Sequence, residues 1–569
     1  MHMAAGIRAA IAAGLLLTLS GAALAQGLSG AYLAGRHAAV NAEVDKAGEY
    51  FTRALARDPK NPVLLEQALI HQIAAGEVTA GLQIAERMAA YDPDHRLANL
   101  ALSAQAFGER NYQAAAERIE LAPEAFHPLV AALLRAWARH GLGESDTEAF
   151  AGLDDRAIFR IFGGYHQGLM RAADGDLDGA AEAFEKALED LSAPTGRMAL
   201  AYGAVLRRQG QSEKAQKLYE DAIGVSVGDA ALEAALEDVI AGKDAELYVE
   251  TPVEGAAEAL YGLASALSRD GDERLSLFYT QLALYLSPDF DDAALLTAEI
   301  FEQREQFRLA ISAYETIASD SPVSRAAEIG RAEALHELGE DDRAVEALKA
   351  LTRREPSAID AQLALGDLMR RLQRFEEGAV AYDAAIKLMS AKGRENWVLY
   401  YERGICYERS DQWEKAEADF FRALELRPDQ PLVLNYLGYS WLDKGLKYEE
   451  ALPLIKKAVE QRPEDGYIVD SLGWAYYLLG DFEAAVTELE RAVELRPVDP
   501  VINDHLGDAL WRVGRKIEAE FQWKRAMSFE PEDKDLVRIK RKLKVGLDKV
   551  LEEEQAAVET PEASAANDG

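Results

Sequence analysis

Prolines recur along this chain at a nearly fixed interval, and that interval restricts the possible folds more than any other feature. Pro428, Pro463, Pro497 and Pro531 stand 35, 34 and 34 residues apart. Pro288, Pro322 and Pro356 are spaced by 34, as are Pro59 and Pro93. A 34-residue period marks an array of helical hairpins, in which no unit buries its apolar face alone and stacking supplies the core. Such arrays present long grooves, so the period points to binding before it points to chemistry.

The unit opening at Pro500 carries Leu506-Gly507, Leu510, Gly514, Ala519, Trp523, Ala526 and Pro531. The preceding one carries Leu472-Gly473, Tyr476, Gly480, Ala485, Leu489, Ala492 and Pro497. Before that come Leu437-Gly438, Trp441, Gly445, Ala451, Ile455, Ala458 and Pro463, with one extra residue near Leu446. Gly473 and Ala485 suit the closest approach of two antiparallel helices, and Tyr476 and Leu489 fill the space between them. Gly480 supplies a left-handed turn, and Pro497 ends the second helix. The pattern resembles the tetratricopeptide repeat (TPR). That resemblance implies an all-α, TPR-type α-solenoid, a right-handed superhelix of about a dozen antiparallel helix pairs.

The register extends back through 397–430, 359–392, 325–358, 291–324 and 257–290, and through 196–229 and 161–194. It weakens over 28–125 and fits poorly at 126–160 and 225–256. The expected organisation is a signal peptide (1–25), a degenerate N-terminal array (26–160) and repeats over 161–229. An irregular break (230–256), a C-terminal array (257–533), a capping helix (534–552) and a disordered acidic tail (553–569) follow.

A formal charge of -36 argues against nucleic-acid binding, which needs clustered cations. It suits a well-solvated surface or a groove that attracts basic segments. The exception is the last helix, with Arg538, Lys540, Arg541, Lys542 and Lys544. Two readings stay open there: the polar cap that a solenoid end needs, or peripheral contact with anionic lipid.

At the N-terminus, Arg8 precedes an apolar run from Ala9 to Leu19, and Ala23-Leu24-Ala25 precedes Gln26. A positive start, a short apolar stretch and a small-x-small site describe a secretory signal peptide, cleaved after Ala25. The expectation is a periplasmic protein. Gln26 stands where a lipid-anchor cysteine would be. The one cysteine, Cys406, allows no intramolecular disulfide and reads as a small packing residue.

No reaction chemistry stands out. His336-Glu337-Leu338-Gly339-Glu340 lacks the second histidine at i+4 that a zinc helix requires. The nine histidines form no ligand-spaced cluster, and no nucleophile elbow, phosphate loop or dinucleotide fingerprint occurs. The chain is expected to be non-enzymatic and to need no cofactor or metal.

The resemblance implies that positions two, five, nine, twelve and thirteen of each repeat face the concave groove. In the C-terminal repeats these positions include Tyr401, Asn435, Tyr439, Asp470, Trp474 and Tyr477, then Asp504, Asp508, Trp511 and Arg512. Two readings stand side by side: a partner-binding strip, since Trp, Tyr and Arg dominate interface energetics, or rings that pack against neighbouring repeats. The implied partner is a protein, bound as a peptide or as a folded domain.

The stretch 430–531 is also similar to bacterial envelope TPR proteins, among them outer-membrane adaptor lipoproteins that activate carboxyl-terminal processing proteases. The carriers are Asn435-Tyr436-Leu437-Gly438-Tyr439, Asp470-Ser471-Leu472-Gly473-Trp474 and His505-Leu506-Gly507 with Leu510-Trp511. The resemblance implies an adaptor for a protease or a peptidoglycan hydrolase. The alternative is a TPR component of an outer-membrane or polysaccharide export machine.

Overall fold

A computed structural model describes residues 27–121, 128–144, 157–189, 191, 194–225 and 229–559. Among these residues every regular element is an α-helix, and there is no strand. The segment expected to be a signal peptide lies outside them, as does 560–569 of the expected tail. The chain divides into two compact units, 1–356 and 357–569, the division falling directly after Pro356.

In the second unit, helix pairs follow the 34-residue register: Pro431–Asp443 with Tyr448–Gln461, Gly466–Leu478 with Phe482–Leu495, and Pro500–Arg512 with Lys516–Ser528. Local chemistry sets their ends. Asp465 and Asp499 cap the first helices of two pairs, their carboxylates accepting from the N–H groups of Tyr467 and Ile468 and of Val501 and Ile502. Pro431 and Pro500 occupy the first turn, where no N–H is needed. The turn within each pair contains one left-handed residue, Gly480 (φ 85°) or Gly514 (φ 84°). The extra residue near Leu446 is absorbed by a second left-handed position, Lys447 at φ 43°, after Gly445 at φ 69°.

Packing within a pair follows a simple rule. A glycine on the first helix faces a large side chain sixteen residues later on the second. A Cβ at Gly473 would lie 2.5 Å from Leu489 Cγ, one at Gly507 2.4 Å from Trp523 Cδ1, and one at Gly404 2.6 Å from Phe420 Cε1. Gly438 faces Ile455, one residue further on, because of the inserted residue. The same rule holds in the first unit, where Gly168 faces Phe184 and Gly203 faces Tyr219. The helices thus approach until a side chain on one rests on the backbone of the other, which close-packed interiors require.

The first unit departs from a stack of nearest neighbours. Helix Glu273–Leu286 packs on Pro62–Ala74 and Arg96–Gly108, and helix Pro252–Arg269 packs on Pro128–Gly141. A Cβ at Gly255 would strike the Trp137 ring at 2.2 Å, so glycine is what lets these helices meet. The 230–256 stretch is not wholly irregular. It holds helix Ala230–Ile240, a non-helical strap over 241–251, and the start of the next helix at Pro252. A reciprocal capping box, Thr251 with Glu254, fixes that start.

The capping segment also differs from the single helix expected. Helix Asp533–Val545 ends at Gly546 (φ 80°), and a second helix runs from Leu547 to Glu559, so 553–559 is helical. The turn needs glycine twice over: the backbone is left-handed, and a Cβ there would lie 2.6 Å from the Trp511 ring.

Candidate protein-docking face

Of the sequence-predicted groove residues, the structure brings one group together around Trp474. Its indole stacks on Tyr477 (centroids 4.6 Å apart, planes 7° apart) and on the His505 imidazole of the next helix pair (4.0 Å, 14°). Asp470, one turn before Trp474, meets His505 Nδ1 at 3.0 Å. Burial draws the His505 pKa down. The charge and hydrogen bond of Asp470, with Asp504 and Asp508 behind it, outweigh burial and hold the pKa above its ordinary value. Burial also pushes the Tyr477 hydroxyl up to about 12.

This stack borders a cavity of about 110 Å³ lined also by Val501, Asp504, Arg538 and Ile539. Two exposed hydrophobic side chains lie on the helices that carry the stack. Val501 lines the cavity rim and is 45% exposed, and Tyr467, two turns before Trp474 on the same helix face, is 52% exposed. The result is a rigid aromatic floor with two exposed hydrophobic flanks.

The remaining predicted residues are placed differently. Asp504, Asp508 and Trp511 are engaged by the terminal helices. Lys542 is 0% exposed, and its Nζ donates to Asp504 at 2.7 Å and to Asp508 at 2.8 Å. Trp523 Nε1 donates to Asp508 at 2.9 Å, and Trp511 Nε1 donates to Asp548 at 3.0 Å. Burial first, then Asp508, raises the Asp504 pKa. Tyr401 is packed against Tyr436, Trp397 and Phe420, and burial lifts its hydroxyl to about 12. Tyr439 is half-buried, with its pKa raised by burial and then by Asp470. Asn435 has a buried Oδ1 with no hydrogen-bond partner. The exposed Arg512 guanidinium lies 4.0 Å over the Phe482 ring.

Sequence reasoning missed His505 and Lys542. His505 lies one position past the expected groove site at Asp504, and its only signal is its place in the His505-Leu506-Gly507 motif. Lys542 read as one charge among many on a basic helix, although it sits one turn after Ile539, the buried apolar anchor of that helix. Arg538 and Arg541 are likewise paired, with Glu554 and Glu553. Among the described residues, Lys540 and Lys544 have no ion-pair partner.

The arrangement is suited to binding. Burial drives the Cys406 thiol up to about 12, so it is not poised as a nucleophile. His336 contacts Asp341 at 2.6 Å, and among the described residues no three His, Cys, Asp or Glu side chains converge on a metal position.

Comparisons with known proteins agree with the fold. The family description "Tetratricopeptide repeat" matches residues 397–430, 295–358 and 341–393, and "TPR repeat" matches 473–514. A TPR repeat-containing protein of Pseudomonas aeruginosa, PA4667, is 29% identical over 155 residues, 27% of this chain and 26% of that protein. Human tetratricopeptide repeat protein 13 is 29% identical over 172 residues, 29% of this chain and 19% of that protein. The matches thus span about a quarter or less of these relatives' own lengths. Among solved structures, the Cut9–Hcn1 assembly of the APC/C aligns over 93% of this chain and 99% of its own, at 15% identity and a TM-score of 0.36. The chain carries tetratricopeptide repeats in an all-α solenoid, an architecture that typically serves as a non-enzymatic scaffold for protein–protein interaction.

Proposed function

We propose that the chain is a non-enzymatic, exported scaffold that docks a protein partner on the face around Trp474. The observation that carries this reading is the rigid Tyr477–Trp474–His505 stack flanked by the exposed side chains of Tyr467 and Val501. Binding energy concentrates in aromatic anchors that are held in place before the partner arrives, because little side-chain freedom is then lost on association. A ring fixed by two neighbours, one of them a hydrogen-bonded histidine, meets that condition. Paired repeats present such faces on solenoids, whose surfaces are built from stacked units.

Export is supported by the positively charged, apolar, small-x-small N-terminus. The class of partner is supported by the resemblance of 430–531 to envelope adaptors, and it is a processing protease or the peptidoglycan hydrolase that such a protease trims.

The test replaces the flanks and leaves the stack intact. Tyr467→Ser with Val501→Ser should weaken binding of a purified carboxyl-terminal processing protease by at least roughly tenfold, with the thermal transition unchanged, since anchor residues each contribute about 2 kcal/mol or more. Unchanged affinity in a folded double variant would dismiss this face as the docking site.

A further inference from the structure

The first unit contains a second and larger recess, separate from the face just described, and its chemistry differs. A cavity of about 910 Å³ opens between helix Gly196–Arg208, helix Ala230–Ile240, the 241–251 strap and the segments at 287–292 and 321–323. Its volume is at the upper end of the roughly 300–1,000 Å³ usual for ligand pockets.

Arg197 forms one end of this cavity. Its Nε and Nη2 donate to Glu258 at 3.0 and 2.7 Å, and its Nη1 donates to Asp292 at 2.6 Å. Tyr165 donates its hydroxyl to the same Glu258 at 2.9 Å. The guanidinium lies 4.8–4.9 Å from the Phe290 and Tyr248 rings. Arg207, the other cation among the described lining residues, donates to the backbone carbonyls of Lys243 and Asp244 at 2.7 and 3.0 Å. Arg208 adds a bond to the Ala245 carbonyl at 2.9 Å. The two arginines together pin the strap across the mouth.

The charge of the lining is left unbalanced. Nine carboxylates face two guanidinium groups, and both guanidinium groups are already engaged. Among the described residues, no cation lies within ion-pair distance of Asp244, Glu246, Glu250 or Asp289. A concave wall with an excess of one sign of charge concentrates its field on the space it borders. The carboxylates are spread along the walls, and no three of them converge on a metal position among the described residues. A single ion therefore cannot meet them, whereas a chain bearing several cations can. An extended peptide places successive side chains about 3.3 Å apart on alternate sides. The aliphatic stems of lysine and arginine would find apolar surface at Leu200, Leu247 and the Tyr248 ring, while their heads reach the carboxylates.

We propose that this cavity is a docking site for an extended, lysine- and arginine-rich segment of a partner protein. The strap is what makes the site. A second repeat helix at 241–251 would replace these acidic side chains with a packed face, whereas the non-helical strap lines the mouth with them.

The test uses the full mature chain and a fluorescein-labelled peptide of alternating lysine and alanine, with a glutamate–alanine peptide and spermine as the other probes. The lysine peptide should bind, weaken steeply with added salt, and lose roughly tenfold in affinity to the Asp244→Asn, Glu246→Gln, Glu250→Gln triple variant. These three side chains are exposed, so the fold should survive their neutralisation. Neutralising the exposed Glu182, Glu189 and Glu213 instead should change nothing. Equal loss from both sets would reduce the effect to net charge and overturn the proposal. Tighter binding of spermine than of the peptide would assign the cavity to small organic cations, and no binding of either would remove it as a cation site. The Tyr467/Val501 variants leave this unit untouched, so the two sites fail or stand separately.

Discussion

Lys542→Met should release the terminal helices from the second unit. In the native chain, the Lys542 ammonium is fully buried and answers two carboxylates, Asp504 and Asp508. Removing it leaves Asp508 with the Trp523 N–H and a longer contact to Arg538 at 3.3 Å, and leaves Asp504 beside a like charge. Breaking a buried ion pair by deleting one partner destabilises by about 3–5 kcal/mol, because the stranded charge keeps its desolvation penalty. Docking of these helices rests chiefly on Ile539, Leu547 and Val550, all buried. Each contributes about 1.5–3 kcal/mol before the entropy of ordering is subtracted. The loss is therefore comparable to the whole docking energy. Hydrogen exchange read by mass spectrometry should show amides across 533–559 exchanging roughly a hundredfold faster or more, with the helices of 431–495 unchanged. Adding Asp508→Asn to Lys542→Met removes a stranded charge and should restore part of the protection. Unaltered exchange over 533–559, or further loss on adding Asp508→Asn, would refute the idea that this buried triad holds the cap.

Other expectations follow from the same packing and titration. Gly507→Ala would place its Cβ 2.4 Å from Trp523 and should destabilise by about 1–3 kcal/mol, measured by urea unfolding followed through tryptophan emission. His71 is buried with both ring nitrogens unpaired, and burial, with Arg274 and Arg304 nearby, lowers its pKa to about 4. Between about pH 6.5 and 4 the unfolded chain binds a proton there that the folded chain refuses, so stability falls as pH falls, by about 3 kcal/mol in all. His71→Phe should raise the melting temperature and flatten that acid limb. His505 has the opposite sign. Its folded pKa is raised, so its contribution is fully present below about pH 6.5 and is lost as pH rises through the folded value. Thermal melts of Asp470→Asn should lack this alkaline loss.

Much of this fold is legible in the chain because its rules are local. The 34-residue prolines, the Gly480 and Gly514 turns and the Asp465 and Asp499 caps each act within a few residues of their own position. The glycine-to-aromatic pairing spans only sixteen. Some turns break the local rule: Gln373 and Asp411 hold left-handed backbone (both φ 58°) at the position that Gly480 fills, because stacking fixes the chain there whatever the residue. The packing of 252–286 onto 62–141 is illegible for the opposite reason. It joins segments more than a hundred residues apart through contacts such as Gly255 on Trp137, which no period records. The face around Trp474 lies between these cases. Periodicity places Tyr467, Asp470, Trp474 and Tyr477 on one helix face, but His505 enters from the next pair. Only the packed structure shows the ring stack it completes. Trp511, grouped with Trp474 by spacing, is instead tied to Asp548 and tilted on Trp523 at 5.3 Å, so its removal would test the cap rather than the groove.

Docking of a partner protein on the Trp474 face can be read out by site-specific photocrosslinking. A benzophenone side chain would replace Tyr467 or Val501 on the face, or the exposed Ile517 or Val380 elsewhere on the same unit. Irradiation with a purified processing protease or peptidoglycan hydrolase should give adducts from positions 467 and 501 and none from 517 or 380. Adducts from 517 or 380 alone would place the docking site elsewhere on this unit and rule out the Trp474 face.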